Sequence, residues 1–185
     1  MNKLAEFVYS VATKNDRRRL LWSVAGAFFW YGAVYLMVIL APWLDKTWRL
    51  NLSIPLPVKL PFGILLLLFG IPIVVWTITR FLRTKGTPIP FNPPPTMVTN
   101  GLYNIIRNPM HLGWTLVLFG VAVLMQSFTL LVIFIPLFVL AHILYLKLIE
   151  EKELEKKFGQ AYMDYKKHVP MFIPKLHIAK ITTPY

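Results

Sequence analysis

Residues 101–151 read GLYNIIRNPMHLGWTLVLFGVAVLMQSFTLLVIFIPLFVLAHILYLKLIEE, and this stretch decides the fold. Two apolar runs, Met110 to Met125 and Phe128 to Ile149, are separated by little more than Gln126 and Ser127. Each approaches the ~20 residues that a helix needs to cross a ~30 Å hydrocarbon layer. So short a link forces an antiparallel hairpin of neighbouring helices. The open end of the hairpin is polar, with Arg107, Asn108, Pro109 and His111 at the mouth of one run and Glu150 and Glu151 closing the other. Polar and ionisable groups are costly at such a boundary, so their convergence points to function.

Two further apolar runs, about Leu20 to Leu40 and Leu60 to Leu82, lie upstream, giving four spans. The composition agrees. The 185-residue chain is 56% hydrophobic and 15% charged, which soluble domains of this length rarely are. The expected fold class is all-α, a multi-pass membrane helical bundle of about four transmembrane helices with a C-terminal cytoplasmic amphipathic helix.

The formal charge of +12 is explained by its placement. With four spans both termini share a side, and 17 of the 20 lysines and arginines fall there, leaving Lys46, Arg49 and Lys59 opposite. This is the positive-inside pattern with both ends cytoplasmic. The basic excess is a topology signal plus attraction to anionic membrane lipids, so no nucleic-acid partner is predicted. The absence of cysteine excludes disulfides, thiol nucleophiles and thiolate metal sites, and no metal site is predicted. Arg17, Arg18 and Arg19 follow the first apolar positions with no small-residue cleavage site, so the N-terminus is expected to be retained.

Leu4, Phe7, Val8 and Val11 have the spacing of a helix lying on the membrane surface. The stretch APWLDKTWRLNLSIPLPVK, residues 41–59, suits an interfacial connection on the opposite side. Pro72 and Pro136 each remove a backbone donor within a span and invite a kink. Residues 83–109, between the second and third spans, are too rich in proline and glycine to be regular helix throughout. Beyond the fourth span, EEKELEKKFGQAYMDYKKHV is charged and amphipathic, and Pro170 and Pro174 mark its exit. The whole chain, residues 1–185, reads as one membrane domain with no internal repeat.

Asn108 followed by Pro109 reads as a helix N-cap with proline at the first helical position, leaving amide donors and the positive end of the dipole free. Arg107 adds a guanidinium suited to a carboxylate or phosphate. Counting from the turn at about 1.5 Å per residue, Arg107 and Glu150 lie at depths that agree to roughly one helical turn. A cationic and an anionic pocket therefore meet at one level, and a ligand with one carboxylate and one ammonium would satisfy both. His142, Tyr145, Ile149, Glu150 and Glu153 share a helical face, with His142 about 12 Å deeper than Glu150.

The segments GTPIPFNPP, MVTNGLY, RNPMHLG, EEKEL, FGQAYMDY and VPMFIP occur in this order between Gly86 and Pro174. In that series the chain resembles the isoprenylcysteine carboxyl methyltransferase and phospholipid methyltransferase superfamily, integral membrane enzymes that use S-adenosylmethionine. Residues 1–85 match only in kind, as two hydrophobic spans, and residues 86–174 would be the cofactor-binding region. The resemblance implies S-adenosylmethionine as cofactor, its methionine carboxylate at Arg107 and the amides after Asn108 and Pro109, its ammonium facing Glu150 or Glu151. Adenosine would lie against Gly101, Leu102 and Tyr103, with His111 nearby. The acceptor would be lipid or lipid-like, isoprenylated or otherwise hydrophobic, and would arrive laterally from the bilayer. An amine or thiol acceptor would call for a general base, for which His111 and His142 are the candidates, whereas a carboxylate would need none. No protein partner is predicted, and the compact size points to a prokaryotic inner membrane.

The chain departs from the carboxyl methyltransferases in having Asn108 where they usually carry histidine, His111 where they carry tyrosine, and Lys152 where proline often follows the paired glutamates. These positions bear on the substrate more than on the cofactor. Two other readings stay open from the sequence: an NADPH-dependent membrane reductase of related architecture, whose phosphate pocket would draw on Arg107, Arg83 and Lys85, and a non-catalytic membrane scaffold.

Overall fold

The computed structural model describes Glu6, residues 17–84 and residues 96–174. The surface helix expected over residues 1–13, Lys85 and the GTPIPFNPP segment lie outside these residues, Glu6 excepted. The described part is helical, without strands: α1 (Arg17–Trp48), α2 (Leu56–Arg83), a 3₁₀ turn (Gly101–Asn104), α3 (Pro109–Met125), α4 (Thr129–Phe158) and α5 (Gln160–His168). Val24–Trp48 in α1, all of α2 and all of α4 are long and apolar enough to cross a membrane, while α3 is shorter, with 17 residues. The all-α membrane bundle is thus as expected.

Element ends differ from the expectation. Helix α1 runs on through Pro42 to Trp48, past the expected end near Leu40. Helix α4 continues past Ile149 through the EEKEL segment to Phe158, so the charged tail begins as an extension of the fourth span. It is not one uniform helix, because wide π-type turns occupy Thr129–Phe134 and Leu146–Glu150. The first directly precedes Pro136, which cannot donate to a carbonyl one turn back and crowds it, and a widened turn relieves that clash.

The tightest helix pair is α2 with α3, which are joined by the long loop, not the pair joined by the two-residue link. Gly63 faces Gly120 and Gly70 faces Gly113 in an antiparallel seam. A Cβ on Gly70 would lie 2.8 Å from the Gly113 carbonyl oxygen, and one on Gly120 would lie 3.0 Å from that of Gly63. Small residues let the two backbones touch, which is how apolar helices gain packing energy where lipid removes the hydrophobic incentive. The α3–α4 hairpin forms as predicted: Gln126 turns the chain in the left-handed conformation (φ 54°) and donates from Nε2 to the Ile54 carbonyl at 2.7 Å. Leu118 and Ala122 of α3 pack with Leu130, Ile135 and Phe138 of α4 and with Ala41 of α1.

At this closed end of the bundle, Asp45 of α1 caps the start of α4. Its carboxylate accepts from the Thr129 amide (2.8 Å), the Thr129 hydroxyl (2.5 Å) and the Ser127 hydroxyl (2.5 Å). Thr129 and Ser127 are buried, so Asp45→Ala would leave two hydroxyls and a helix N-terminal amide without their acceptor. The expected cost is about 2–4 kcal/mol, since an unsatisfied buried polar group costs ~1–3 kcal/mol. Thermal unfolding in detergent checks it, and an unchanged midpoint would remove Asp45 from the account.

Candidate functional site

At the opposite end of the bundle, the C-terminal segment straps across the mouth of α3. Gly159 makes the turn from α4 into α5 with φ 57° and ψ −131°, a conformation that side chains with a Cβ rarely adopt. The chain after α5 then brings the Pro170 and Met171 carbonyls to the Arg107 and Asn108 amides, at 2.8 and 3.2 Å. Tyr165 donates its hydroxyl to the Tyr103 carbonyl at 2.6 Å. Tyr162, Tyr165 and Val169 form a small core there with Met97, Leu154 and Phe158. Burial holds the Tyr103, Tyr162 and Tyr165 hydroxyls well above the ordinary tyrosine range, so they are neutral donors at physiological pH.

The strap changes the expected N-cap. Asn108 stands at the cap position with Pro109 buried behind it, but its side chain makes no capping bond and instead points Nδ2 at the Met171 carbonyl, 3.4 Å away. The donors facing outward are thus those one step further on, since helix geometry gives Met110 and His111 no intrahelical acceptor.

The counting along the hairpin sets Arg107 level with Glu150, and it is the next residue, Glu151, that Arg107 meets. They form an ion pair at 2.6 Å with side chains only 11% and 8% exposed. The geometry corrects the picture of two separate pockets, because the pair closes on itself. Glu151 is taken on both oxygens, Oε1 by Arg107 and Oε2 by Lys166 of α5 at 2.6 Å. Lys166 also reaches Glu155 at 2.9 Å. Burial works against the charge on Lys166, but the two carboxylates outweigh it and raise its pKa, so its ammonium is charged at neutral pH. Arg107 touches the Tyr162 hydroxyl at 3.4 Å, and its Nε is buried without a partner.

Glu150 is half-buried and leaves the helix on a different side from Glu151. Helix geometry supplies the reason, because successive residues leave a helix about 100° apart. Deeper in the bundle, His142 lies between the Trp30 ring (4.4 Å between centroids) and the Phe138 ring (4.0 Å), with His111 edge-on at 4.7 Å. His142 Nδ1 is 2.8 Å from the Phe138 carbonyl, which can only accept, so Nδ1 carries a proton and the neutral ring keeps its lone pair on Nε2. The two candidate bases are therefore adjacent, one on α3 and one on α4.

Of the residues expected to line an adenosine, Gly101 backs directly onto Trp76 of α2, and Tyr103 is buried between Trp76 and Phe81. Leu102 is half-buried beside them. This loop is pinned to α2 by Arg80, which donates to the Asn100 side chain at 2.5 Å. Lys166, Tyr162 and Trp30 were not singled out from the sequence, and only the paired tyrosines of the QAYMDY segment offered a signal.

The comparisons fit this architecture. The profile of the phospholipid methyltransferase family matches residues 58–161, more than half of the chain, running from the start of α2 through the mouth of the site to the first turn of α5. The chain is an integral membrane protein that belongs to the phospholipid methyltransferase family. The match takes in nearly all of α2, further upstream than the resemblance read from Gly86. Among curated proteins, it is similar to methanethiol S-methyltransferase 2 of Bradyrhizobium diazoefficiens, with 30% identity over 105 residues. That alignment covers 55% of this chain and 37% of the relative, little more than a third of its length.

Proposed function

We propose that the protein is an S-adenosylmethionine-dependent methyltransferase acting on a hydrophobic or lipid-like acceptor that enters from the bilayer. The observation that carries this reading is the buried Arg107, whose Nε has no partner, just ahead of the helix that carries His111 against His142. A buried guanidinium with an unused donor is suited to a carboxylate. The amides of Met110 and His111 and the positive end of α3 add to the same attraction. Half-buried Glu150, next to Glu151 in the chain, would face an ammonium. Gly101, Leu102 and Tyr103 offer the backed surface on which an adenosine would rest.

Bound S-adenosylmethionine supplies an electrophilic methyl group on a sulfonium, so the chain's own task is to align the acceptor and exclude water. Trp30 and Phe138 cover the His142 ring, and His111 stands edge-on to it. His142 Nε2, with its tautomer fixed by the Phe138 carbonyl, holds a lone pair that can take the proton of a thiol or amine acceptor. The similarity to a methanethiol S-methyltransferase favours a thiol or other small soft nucleophile within the hydrophobic class. The charge distribution supports a topology with both termini in the cytoplasm of a prokaryotic cell, and the site at that face.

Thermal unfolding of the detergent-purified protein with each candidate cofactor tests the reading. A ligand that binds only the native state raises the midpoint, so S-adenosylmethionine is expected to raise it and NADPH to leave it unchanged. The reverse would establish the reductase alternative, and no shift with either would favour the scaffold.

A further inference from the structure

Helix α1 lies upstream of the residues 58–161 that match the family profile, yet it reaches the histidine pair. Its Trp30 ring covers His142 with centroids 4.4 Å apart and planes tilted by only 33°. The same ring stands edge-on to Tyr145, about one turn further along α4, at 6.0 Å. The next residue, Tyr31, stands edge-on to Trp114 at 5.8 Å, and Trp114 lies about one turn beyond His111 on α3. Two neighbouring aromatic residues of α1 thus bridge α4 and α3 beside the 4.7 Å contact of His111 with His142. With Phe138 against it as well, His142 is only 7% exposed, so a bulky molecule cannot come alongside it while these rings stay in place.

The two rings that cover His142 are held differently. Phe138 belongs to the buried core shared by α3 and α4, and its carbonyl is bonded to His142 Nδ1, so it is fixed. Trp30 stands at the end of the seam along which Val34, Met37 and Val38 pack on that core, and Phe28 and Phe29 just before it are exposed. Shortening Trp30 therefore opens space beside His142 without withdrawing the core beneath it, and an apolar space of that kind admits an apolar ring. We infer that Trp30, held over the histidines by the contact of Tyr31 with α3, selects acceptors by girth, admitting a primary thiol on a slender alkyl chain and shutting out one carried on a ring. The inference rests on the methyltransferase reading with a thiol acceptor. In the transfer the acceptor's sulfur gains the methyl group from the donor's sulfonium, its proton passes to His142 Nε2, and S-adenosylhomocysteine is left.

Methyl transfer by the full-length protein in detergent to two primary thiols, propanethiol and phenylmethanethiol, tests the selection. The readout is kcat/KM for phenylmethanethiol divided by that for propanethiol, which a partly unfolded preparation does not shift, because both acceptors meet the same active molecules. Trp30→Ala is expected to raise this ratio about tenfold or more, the range over which an apolar pocket discriminates by size. Trp30→Phe, a milder cut that keeps a ring over His142, should raise it less, and it carries the test should Trp30→Ala fail to fold. Phe28→Ala removes an exposed ring of the same helix and should leave the ratio unchanged. A ratio that stays at the wild-type value in both Trp30 variants, or that rises equally in Phe28→Ala, overturns the selection while leaving the methyltransferase reading standing. Wild-type protein that binds S-adenosylhomocysteine in calorimetric titration but methylates neither thiol does the same. Wild-type protein that neither binds it nor methylates either thiol overturns both.

Discussion

Arg107→Ala is expected to weaken S-adenosylhomocysteine binding about 100-fold, equivalent to ~3 kcal/mol and in the range for truncating one side of a buried charge-assisted contact. The fold should survive, because Glu151 keeps Lys166 at 2.6 Å and is not left as an uncompensated buried carboxylate. The converse substitution behaves differently. Glu151→Gln removes the negative charge that both cations share and leaves one amide oxygen where two carboxylate oxygens accepted, so buried Arg107 loses its counter-charge. Its thermal midpoint should therefore fall further than that of Arg107→Ala. Calorimetric titration and thermal unfolding of the two variants check the pair, and equal affinity of Arg107→Ala and wild type would remove the guanidinium from the site.

The larger structural effect is expected at the glycine seam. Gly70→Leu places a Cβ 2.8 Å from the Gly113 carbonyl oxygen and 2.9 Å from the Val117 amide nitrogen, and backbone cannot step aside as a flexible side chain can. The helices must separate, at a cost of about 3 kcal/mol or more. A change of that size lowers the thermal midpoint of a chain this long by roughly 10 °C. The site should suffer with the fold, since α2 carries Trp76 and Arg80, which back and pin the loop at Gly101 and Asn100. Gly32 of α1 is the internal control: a Cβ there meets nothing within 4 Å, so Gly32→Leu should unfold like wild type. If the two variants unfold alike, the close approach of α2 and α3 is wrong.

What the sequence made legible follows from the range of the forces involved. The spans and the hairpin are set by local composition and by a link too short to allow anything else, and the four apolar helices and the hairpin appear, although α1 and α4 run past their expected ends and α3 is shorter than a spanning helix. That Arg107 and the acidic end of α4 lie at one level follows from that hairpin by counting residues, but which glutamate Arg107 meets does not. The contacts that were not legible depend on segments far apart in the chain. The α2–α3 seam has a signal, since Gly63 and Gly70, like Gly113 and Gly120, are seven residues apart, but only the fold shows that the pairs face each other. The strap has no periodic pattern at all. Its Pro170 and Met171 carbonyls take the Arg107 and Asn108 amides, and Asn108 turns its side chain to Met171, which a local cap rule cannot anticipate. The wide turn Leu146–Glu150 before Glu151 is equally hidden.

The proposed methyl transfer takes place at the Arg107 end of the bundle, to an acceptor held beside His142. Incubating the purified protein and native membrane lipid extract with methyl-labelled S-adenosylmethionine, then measuring label in the organic phase by mass spectrometry, tests it most directly. The expected result is protein-dependent label in a hydrophobic product, lost with Arg107→Ala. Label that stays wholly in the aqueous phase with folded wild-type protein would contradict it.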